Sequence, residues 1–488
     1  MPKPIKLHPE NPKIFEYNGK PMMLFTATEH YGAVINRPFD YLKYLEDMRK
    51  KRINYTRLFL LFRELQVPTN PYSTCKPESP DYISPYKRTG PGKAVDGELK
   101  YDLDQWNDEF FSRLHEFLST AEKYNIIVEV TLFSNTYTPA VWSCNPLHAA
   151  NNLSGLNDID IYDYNTLRHP RRTALMETYV EKIIRETNKY SNIIYEICNE
   201  PGGDNPAIPD SPTCEESNAW VGHMIKLVRS IESGMPDRHL ISGQEAYTFV
   251  PAFALLTDES FDSIDFDVVT VHPTNSTVIS GKWYSLGGFM SRELMLESYR
   301  DFCLEAYTKS KPMCMDEDNT ASAFKDECGW TIHRKRAWTA IFCGAHYDYI
   351  DFSILPRLET GTPESQKHIR AWMGYLADYL DFVDLVNVKP AADILIKTPP
   401  GAVGSVLADN SGWVHVYLAD AAEYDSPEYG RLIKNSELVL DLKAGEYKTD
   451  AYSPVTGMFS PAITVKLGNG APLYLPDFCH DIIIRLKI

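Results

Sequence analysis

The chain has neither the long apolar runs of a membrane protein nor the positive charge of a nucleic-acid-binding one. None of the apolar runs in its 488 residues approaches the roughly 20 residues needed to span a bilayer. Lys and Arg total 49 against 66 Asp and Glu, and a net charge of −17 would repel the phosphates of a nucleic acid. We therefore expect neither a membrane nor a nucleic acid as partner.

Cysteine is sparse and its spacing is irregular. The nine Cys residues, an odd number, are scattered singly without a CxxC pair, which predicts core thiols in a reducing compartment. A His-x-His pair is also missing, although His8, His30, His272 and His346 are separately available. This disfavours a metal-dependent barrel hydrolase. We expect no metal and no organic cofactor.

The N-terminal residues lack the apolar core of a signal peptide. This indicates a cytoplasmic protein, but a chain whose signal peptide had been trimmed would look the same, so a secreted or periplasmic location stays open. The oligomeric state is not indicated by the sequence.

Apolar strands and amphipathic helices alternate through the first three quarters of the chain. This order is typical of a parallel sheet with crossover helices. A hairpin with an Asn18-Gly19 turn precedes the first strand. Eight strand candidates predict an α/β fold, a (β/α)8 TIM barrel over residues 1–385. They are residues 22–27, 54–62, 126–133, 192–198, 239–243, 268–272, 312–315 and 347–354.

Two stretches depart from this alternation. Residues 62–104 contain six prolines and little periodicity, which predicts a long loop after the second strand and a wall of the substrate cleft. From about Leu385, short alternating strands are separated by Gly, Pro and Asn turns. They predict a small antiparallel β-sandwich domain over residues 386–488, which supports the barrel without contributing to the chemistry.

Two glutamates stand where predicted strands end. Asn199-Glu200-Pro201 follows an apolar run, and Glu317 ends the seventh predicted strand. Active sites of (β/α)8 barrels form at this end of the strands. Cleavage of a glycosidic bond needs one carboxylic acid and one carboxylate, so the pair predicts a glycoside hydrolase acting on a carbohydrate. The structural alternative is that each glutamate caps a strand or pairs with an arginine.

The Asn199-Glu200-Pro201 motif, Glu317 and the early hairpin resemble clan A of the retaining (β/α)8 glycoside hydrolases. This clan includes cellulase, mannanase and β-glycosidase families, and the resemblance extends from residue 13 to about residue 380. Residues 445–457 also resemble the C-terminal β domain of several bacterial members. The resemblance implies that Glu200 is the acid/base and Glu317 the nucleophile. It also implies that Asn199 binds the sugar 2-hydroxyl and that Arg57 steadies the charge of Glu317.

Further site residues follow from the resemblance or from position. His272 stands where many clan members have a histidine near the nucleophile, but Thr274 replaces their tyrosine, and Tyr284 is a candidate for the missing hydroxyl. Trp142, Trp283 and Trp330 are candidate sugar platforms in loops. Glu29 and His30 after strand one, and Gln244 and Glu245 after strand five, are candidate ligands of sugar hydroxyls.

Two positions differ from the clan. Glu317 lies between Asp316 and Asp318, and strand alternation predicts that only one of these three acids lines the pocket. At strand eight, Asp351 and Ser353 stand near the usual place of a tryptophan platform, which leaves the sugar open and makes Asp351 a candidate substrate ligand. A non-catalytic carbohydrate-binding barrel is the alternative function. The linkage and the choice between exo and endo action are also open.

Overall fold

The computed structural model describes residues 3–64, 74–248 and 254–488. Its central sheet has eight parallel strands that pair in the order β1-β8-β7-β6-β5-β4-β3-β2. The predicted (β/α)8 barrel is confirmed, and each of the eight predicted strands is present. In chain order β1 to β8 are Phe25–Thr28, Tyr55–Phe59, Ile127–Ser134, Ile193–Asn199, Leu240–Gly243, Val268–Val271, Met313–Asp318 and His346–Ile350.

A side chain bridges the seam of the barrel, where β1 lies beside β2. Asn54 Nδ2 donates to the Met23 carbonyl at 2.8 Å, and Asn54 Oδ1 accepts from the Phe25 amide at 3.1 Å. The side-chain amide of Asn54 therefore makes the two hydrogen bonds that a backbone peptide group would make at this seam, and the barrel is nearly closed.

A helix follows each strand and covers the outside of the barrel. In the helix Asp108–Lys123, apolar side chains spaced three or four residues apart, such as Phe110, Leu114, Phe117 and Leu118, are buried against the barrel as their spacing predicts. Among the described residues, no helix combines the length and apolarity needed to cross a membrane. Helices α1 to α8 are Tyr41–Lys51, Asp108–Lys123, Pro170–Thr187, Cys214–Glu232, Asp258–Asp262, Leu296–Tyr307, Glu327–Phe342 and Ile369–Leu380.

Short strands outside the central sheet form further small sheets next to the barrel. Lys6–Leu7, Phe15–Tyr17 and Lys20–Met22 form the predicted hairpin and one further strand. Residues 62–104 are not a plain loop, because Tyr86–Lys93 and Leu99–Trp106 pair as an antiparallel hairpin; residues 65–73 lie outside the described part. A five-stranded sheet consists of Gly202–Gly203, Tyr247–Thr248, Ala254–Leu256, Ser276–Ile279 and Lys282–Ser285.

Beyond α8 the described strands are antiparallel, in agreement with the predicted sandwich. The largest C-terminal sheet contains Lys389–Pro390, Ala402–Ala408, Trp413–Asp420, Gly445–Ser453, Met458–Phe459, Ile463–Leu467 and Asp481–Lys487. Smaller sheets contain Leu395–Lys397 with Glu437–Leu440 and Pro472–Tyr474, and Leu432–Ile433 with Phe478–Cys479. Apolar side chains such as Val416, Leu438 and Ile484 form a common core between them.

The largest C-terminal sheet packs on α7. Trp338 of α7 stacks on Tyr417, with ring centroids 6.0 Å apart. Arg334 makes a two-pronged ion pair with buried Asp481, both contacts at 2.9 Å. Because α7 lies between the barrel and this sheet, its residues from Gly329 to Phe342 are buried on all sides of the helix.

Candidate active site

Glu200 and Glu317 face one cavity of about 460 Å³ at the C-terminal end of the barrel. A carboxylate oxygen of each, together with a ring nitrogen of His272, lie within 4.8 Å of one another. Both glutamates have left-handed backbone, with φ of 49° and 50°. This conformation is uncommon outside glycine and costs on the order of 1–3 kcal/mol per residue, so the surrounding structure must hold it in place.

Arg57 of β2 lies under this pair and is completely buried. Its Nη1 donates to Glu317 Oε2 at 2.7 Å, and its Nη2 donates to Glu196 Oε2 at 2.5 Å and to Asn199 Oδ1 at 3.1 Å. The Nε lies 3.0 Å from Asp316 Oδ2. A buried guanidinium needs carboxylate partners, and Arg57 has three of them. It therefore fixes both Glu317 and the side chain of Asn199.

A bulge in β7 explains how neighbouring acids reach the same arginine. The pairing of β7 with β8 shifts register between Met315 and Asp318. Strict alternation would send Asp316 and Glu317 to opposite faces, but here both contact Arg57. Of the three consecutive acids, only Glu317 lines the cavity. Asp318 turns outward and accepts from Arg336 Nε at 2.6 Å.

Further acids fill the barrel interior below the cavity. Glu129 accepts hydrogen bonds from the hydroxyls of Tyr55 and Ser242, and Asp348 accepts one from Tyr31. Burial, together with the charge of neighbouring acids, raises the pKa values of Glu129, Asp316 and Asp348. These groups therefore retain protons at a pH where exposed acids have lost them.

In the described part of the chain, two groups of side chains are close enough together to share a metal ion: Glu200, His272 and Glu317, and Glu129, Glu196 and Asp316. Arg57 already bonds or pairs with a member of each set. Glu317 and Glu200 raise the pKa of His272 to about 9, and a protonated ring is not a metal ligand. The donor sets fit protons and a guanidinium better than a metal ion.

His272, directly after β6, joins the two glutamates. Its Nδ1 lies 2.8 Å from Glu200 Oε1, and its Nε2 lies 4.0 Å from Glu317 Oε2. Burial lowers the pKa of His272, but Glu317 and Glu200 outweigh it and raise the pKa to about 9. Burial raises the pKa of Glu317 to about 7. Burial also acts to raise the pKa of Glu200, but His272 and then Tyr137 reverse this and lower it.

Tyr137 is a site residue that the sequence reasoning missed. Its hydroxyl donates to Glu200 Oε2 at 2.5 Å and accepts from Asn199 Nδ2 at 2.8 Å. The available signal was its position three residues after the end of β3, on the same barrel face as the two glutamates.

Aromatic and polar side chains from several loops line the cavity. Phe62 and Glu64 belong to the described part of the predicted cleft wall, and His30 follows β1. At the end of β8, Phe352 lines the cavity, whereas Asp351 and Ser353 do not. Phe59, Tyr247 and Phe289 add further rings. Sugars present flat apolar faces to such rings.

The three tryptophans lie elsewhere. Trp142 is buried against Tyr164, with ring centroids 5.2 Å apart, and Trp330 is buried and stacks on His368 at 5.6 Å. Trp283 is 49% exposed but faces a separate groove beside α6. The structure corrects their predicted place in loops: Trp142 lies in the short helix Pro139–Ser143, Trp283 in the strand Lys282–Ser285 and Trp330 in α7, and the packing of these elements turns each ring away from the main cavity.

Other candidates have local structural partners. Tyr284 packs on Phe302 of α6. Glu29 is fully buried and accepts from the Gly32 amide at 2.9 Å, and Asp351 accepts from the Ser353 amide at 3.0 Å. None of these three lines the cavity. Glu245 accepts from the Ser260 amide at 2.7 Å, and neither it nor Gln244 lines the cavity.

Comparison with known proteins agrees with this architecture. Residues 76–207 match a family described as a domain of unknown function, DUF6298. A search of curated proteins gives no match. A solved structure titled "Glycoside hydrolase" is similar over 99% of this chain and 97% of its own, with 12% identity and a TM-score of 0.62. A glycoside hydrolase family 5 protein from Bacteroides vulgatus ATCC 8482 is similar over 99% and 93%, with 12% identity and a TM-score of 0.61. At this identity the likeness shows a shared fold.

Proposed function

We propose that the protein is a retaining glycoside hydrolase in which Glu317 is the nucleophile and Glu200 the acid/base. The observation that carries the proposal is the separation of their carboxylate oxygens, which is within 4.8 Å. Retaining enzymes hold the two carboxyl groups about 5–5.5 Å apart, whereas inverting enzymes leave about 6.5–9.5 Å for a water molecule. The fold shared with solved glycoside hydrolases supports the coarser part of the proposal, that the protein is a glycoside hydrolase.

In the first step, Glu317 attacks the anomeric carbon of a bound sugar while Glu200 protonates the departing oxygen. The bond from the anomeric carbon to the leaving group breaks, and a glycosyl ester of Glu317 forms. Arg57 Nη1, at 2.7 Å from Glu317 Oε2, fixes the orientation of the attacking carboxylate.

In the free protein the pKa values favour a proton on Glu317 rather than on Glu200, which is the reverse of what this step needs. The pKa of Glu317 is raised to about 7 while that of Glu200 is lowered, but attack requires an ionised Glu317 and a protonated Glu200. His272 removes the conflict, because its pKa of about 9 leaves it protonated after Glu317 has ionised. Its Nδ1 is 2.8 Å from Glu200, so the proton passes from His272 through Glu200 to the leaving oxygen.

In the second step, a water molecule attacks the anomeric carbon of the ester. Glu200, now a carboxylate, takes a proton from that water, and Glu317 leaves as a carboxylate. The proton then returns from Glu200 to His272. Over both steps, one water is consumed and one glycosidic bond is broken, without a cofactor.

The cavity lining fits a carbohydrate partner. Phe289, which is 48% exposed, offers a ring face, Phe352 and Phe62 add buried apolar wall, and the space of about 460 Å³ is bounded by loops that follow several different strands. We assign no particular sugar to it.

A panel of nitrophenyl glycosides tests the proposal directly. The wild-type protein should release nitrophenol from at least one of them, and Glu317→Gln and Glu200→Gln should each lower that rate by about 10²-fold or more. If the protein bound sugars without hydrolysing any of the panel, the alternative of a non-catalytic carbohydrate-binding barrel would take its place. If both variants hydrolysed as fast as the wild type, the assignment of this site would be wrong.

A further inference from the structure

The loop that follows β3 is tied to the residues around Glu200. The Asn135 amide donates to the Asn199 carbonyl at 3.0 Å, and Asn135 Nδ2 donates to the Glu200 carbonyl, also at 3.0 Å. Asn135 Oδ1 in turn accepts from the amide of Tyr137 at 3.1 Å. One asparagine thus connects the strained backbone at Glu200 to the backbone at Tyr137, which is itself left-handed with φ of 52°.

The hydroxyl of Tyr137 completes this connection through side chains. It donates to Glu200 Oε2 at 2.5 Å, while His272 Nδ1 bonds Glu200 Oε1 at 2.8 Å. Both oxygens of the Glu200 carboxyl are therefore held, and rotation of the carboxyl breaks one or both bonds. The edge-to-face contact of the Tyr137 ring with Phe62, with centroids 6.0 Å apart, limits movement of the ring.

The same hydroxyl occupies the amide of Asn199. Asn199 Nδ2 donates one hydrogen to Tyr137 at 2.8 Å and the other to Ser134 Oγ at 3.2 Å, and an amide nitrogen has only two. Ser134 is buried, whereas Tyr137 lines the cavity. A substrate hydroxyl that accepts from Asn199 must therefore displace Tyr137 from it.

We propose that Tyr137 is the positioning residue of this site: its hydroxyl orients the Glu200 carboxyl for proton transfer and occupies the Asn199 amide until substrate takes its place. This inference rests on the proposed function. It assigns Tyr137 two separable effects, one on the chemical step and one on binding. Removal of the hydroxyl should slow proton transfer and at the same time free Asn199 for substrate.

The test is the steady-state kinetics of Tyr137→Phe, which keeps the ring and loses the hydroxyl. A hydrogen bond to a charged group is typically worth a factor of about 10 to 100, so kcat should fall by that factor while KM stays the same or falls. Because the hydroxyl stabilises the ionised form of Glu200, its removal raises the pKa of that carboxyl. Glu200 and His272 share the proton that is delivered, so the pair then holds this proton more tightly, and the alkaline limb that its loss produces should move to higher pH.

Two further variants separate positioning from folding. Tyr17→Phe removes a hydroxyl bonded to Ser191 Oγ at 3.0 Å among the N-terminal strands, away from the cavity, and should leave kcat and the pH profile unchanged. Asn135→Ala cuts the tether to the Glu200 carbonyl and should reproduce the fall in kcat without a rise in KM.

Each outcome separates the inference from the proposed function. If Tyr137→Phe had the kcat and alkaline limb of the wild type while Glu200→Gln and Glu317→Gln were inactive, the inference would be overturned and the function would stand. A rise in KM at constant kcat would make Tyr137 an ordinary substrate contact and also overturn it. Full activity of the two glutamate variants would instead contradict the proposed function.

Discussion

His272 Nδ1 lies 2.8 Å from Glu200 Oε1, and the opposite nitrogen of the same ring faces the second glutamate of the site. The same imidazolium therefore contacts Glu200, which must deliver a proton to the leaving oxygen, and faces Glu317, which must be ionised before it can attack. The protonation of this ring determines the pH range in which both conditions hold.

The activity should follow a bell-shaped pH profile with an acidic limb near pH 7 and an alkaline limb near pH 9. Below about pH 7 Glu317 takes up a proton and stops acting as nucleophile, so activity falls as pH decreases. Above about pH 9 His272 has lost the proton that Glu200 delivers, so activity falls as pH increases. Measurement of kcat/KM from pH 5 to 10 on a nitrophenyl glycoside checks both limbs.

His272→Asn tests the origin of the alkaline limb. Asparagine can form a hydrogen bond with Glu200 but does not titrate. We therefore expect a lower kcat and an alkaline limb that no longer lies near pH 9. His115→Asn is the matched control, because His115 pairs with Glu186 at 3.0 Å on the outside of the barrel. An alkaline limb that stayed near pH 9 in His272→Asn would show that another group titrates there.

Arg57→Met should abolish activity and destabilise the fold. The change leaves Glu196, Asp316 and Glu317 without their shared cation, and loss of one partner of a buried ion pair costs about 3–5 kcal/mol. The raised pKa values of the interior acids mean that the folded state binds protons which the unfolded chain has released at neutral pH. The free energy of unfolding of the wild type should therefore decrease as pH rises, and that of Arg57→Met should decrease more steeply.

Urea unfolding of Arg57→Met and the wild type at pH 6 and pH 8 measures this effect. Arg57→Lys, which keeps the charge but loses the forked geometry, should recover part of the stability and little of the activity. Equal stability of Arg57→Met and the wild type at both pH values would mean that the interior acids do not depend on this arginine.

Phe352→Ala should weaken substrate binding more than Trp283→Ala. Phe352 lines the cavity beside His30, with ring centroids 5.6 Å apart, whereas Trp283 faces a separate groove. We expect KM to rise by about two- to twelvefold for Phe352→Ala, since a lost ring contact is worth about 0.5–1.5 kcal/mol. For Trp283→Ala, kcat/KM should stay within about twofold of the wild type. The reverse result would place the sugar in the groove beside α6.

The packing of the largest C-terminal sheet on α7 predicts that residues 1–385 do not form a stable protein alone. Removal of the C-terminal sheets uncovers Trp338, Phe342 and Tyr379, and leaves buried Arg334 without Asp481. Thermal unfolding and size-exclusion chromatography of this fragment beside the full chain check the prediction. A monomeric fragment with the melting temperature of the full chain would contradict it.

The sequence was sufficient for the barrel because apolar runs mark its strands, and strand ends mark its active face. That rule brings Glu200 and the acids 316–318 to one face, while the choice of Glu317 among these three acids rested on the family resemblance. The direction of side chains beyond the strand ends does not follow from it, which is why Phe352 and Tyr137 were missed. The three tryptophans were expected in loops but lie in two helices and a short strand outside the main cavity. The interior acids were missed for another reason. Glu129 and Asp348 stand in strands whose sequences are mainly apolar. Only the packed barrel shows that hydroxyl donors, the nearby charge of Arg57 and retained protons stabilise these acids in the interior.

The central claim, that Glu317 attacks and Glu200 delivers the proton, is tested most directly by azide rescue of Glu317→Ala and Glu200→Ala on a dinitrophenyl glycoside. Glu317→Ala leaves space beside the anomeric carbon on the face of the nucleophile, so azide should restore turnover and give a glycosyl azide of inverted configuration. Glu200→Ala still forms the ester, so azide should give a product of retained configuration. Inverted product from Glu200→Ala, with Glu317→Ala left inactive by azide, would show that the two roles are reversed.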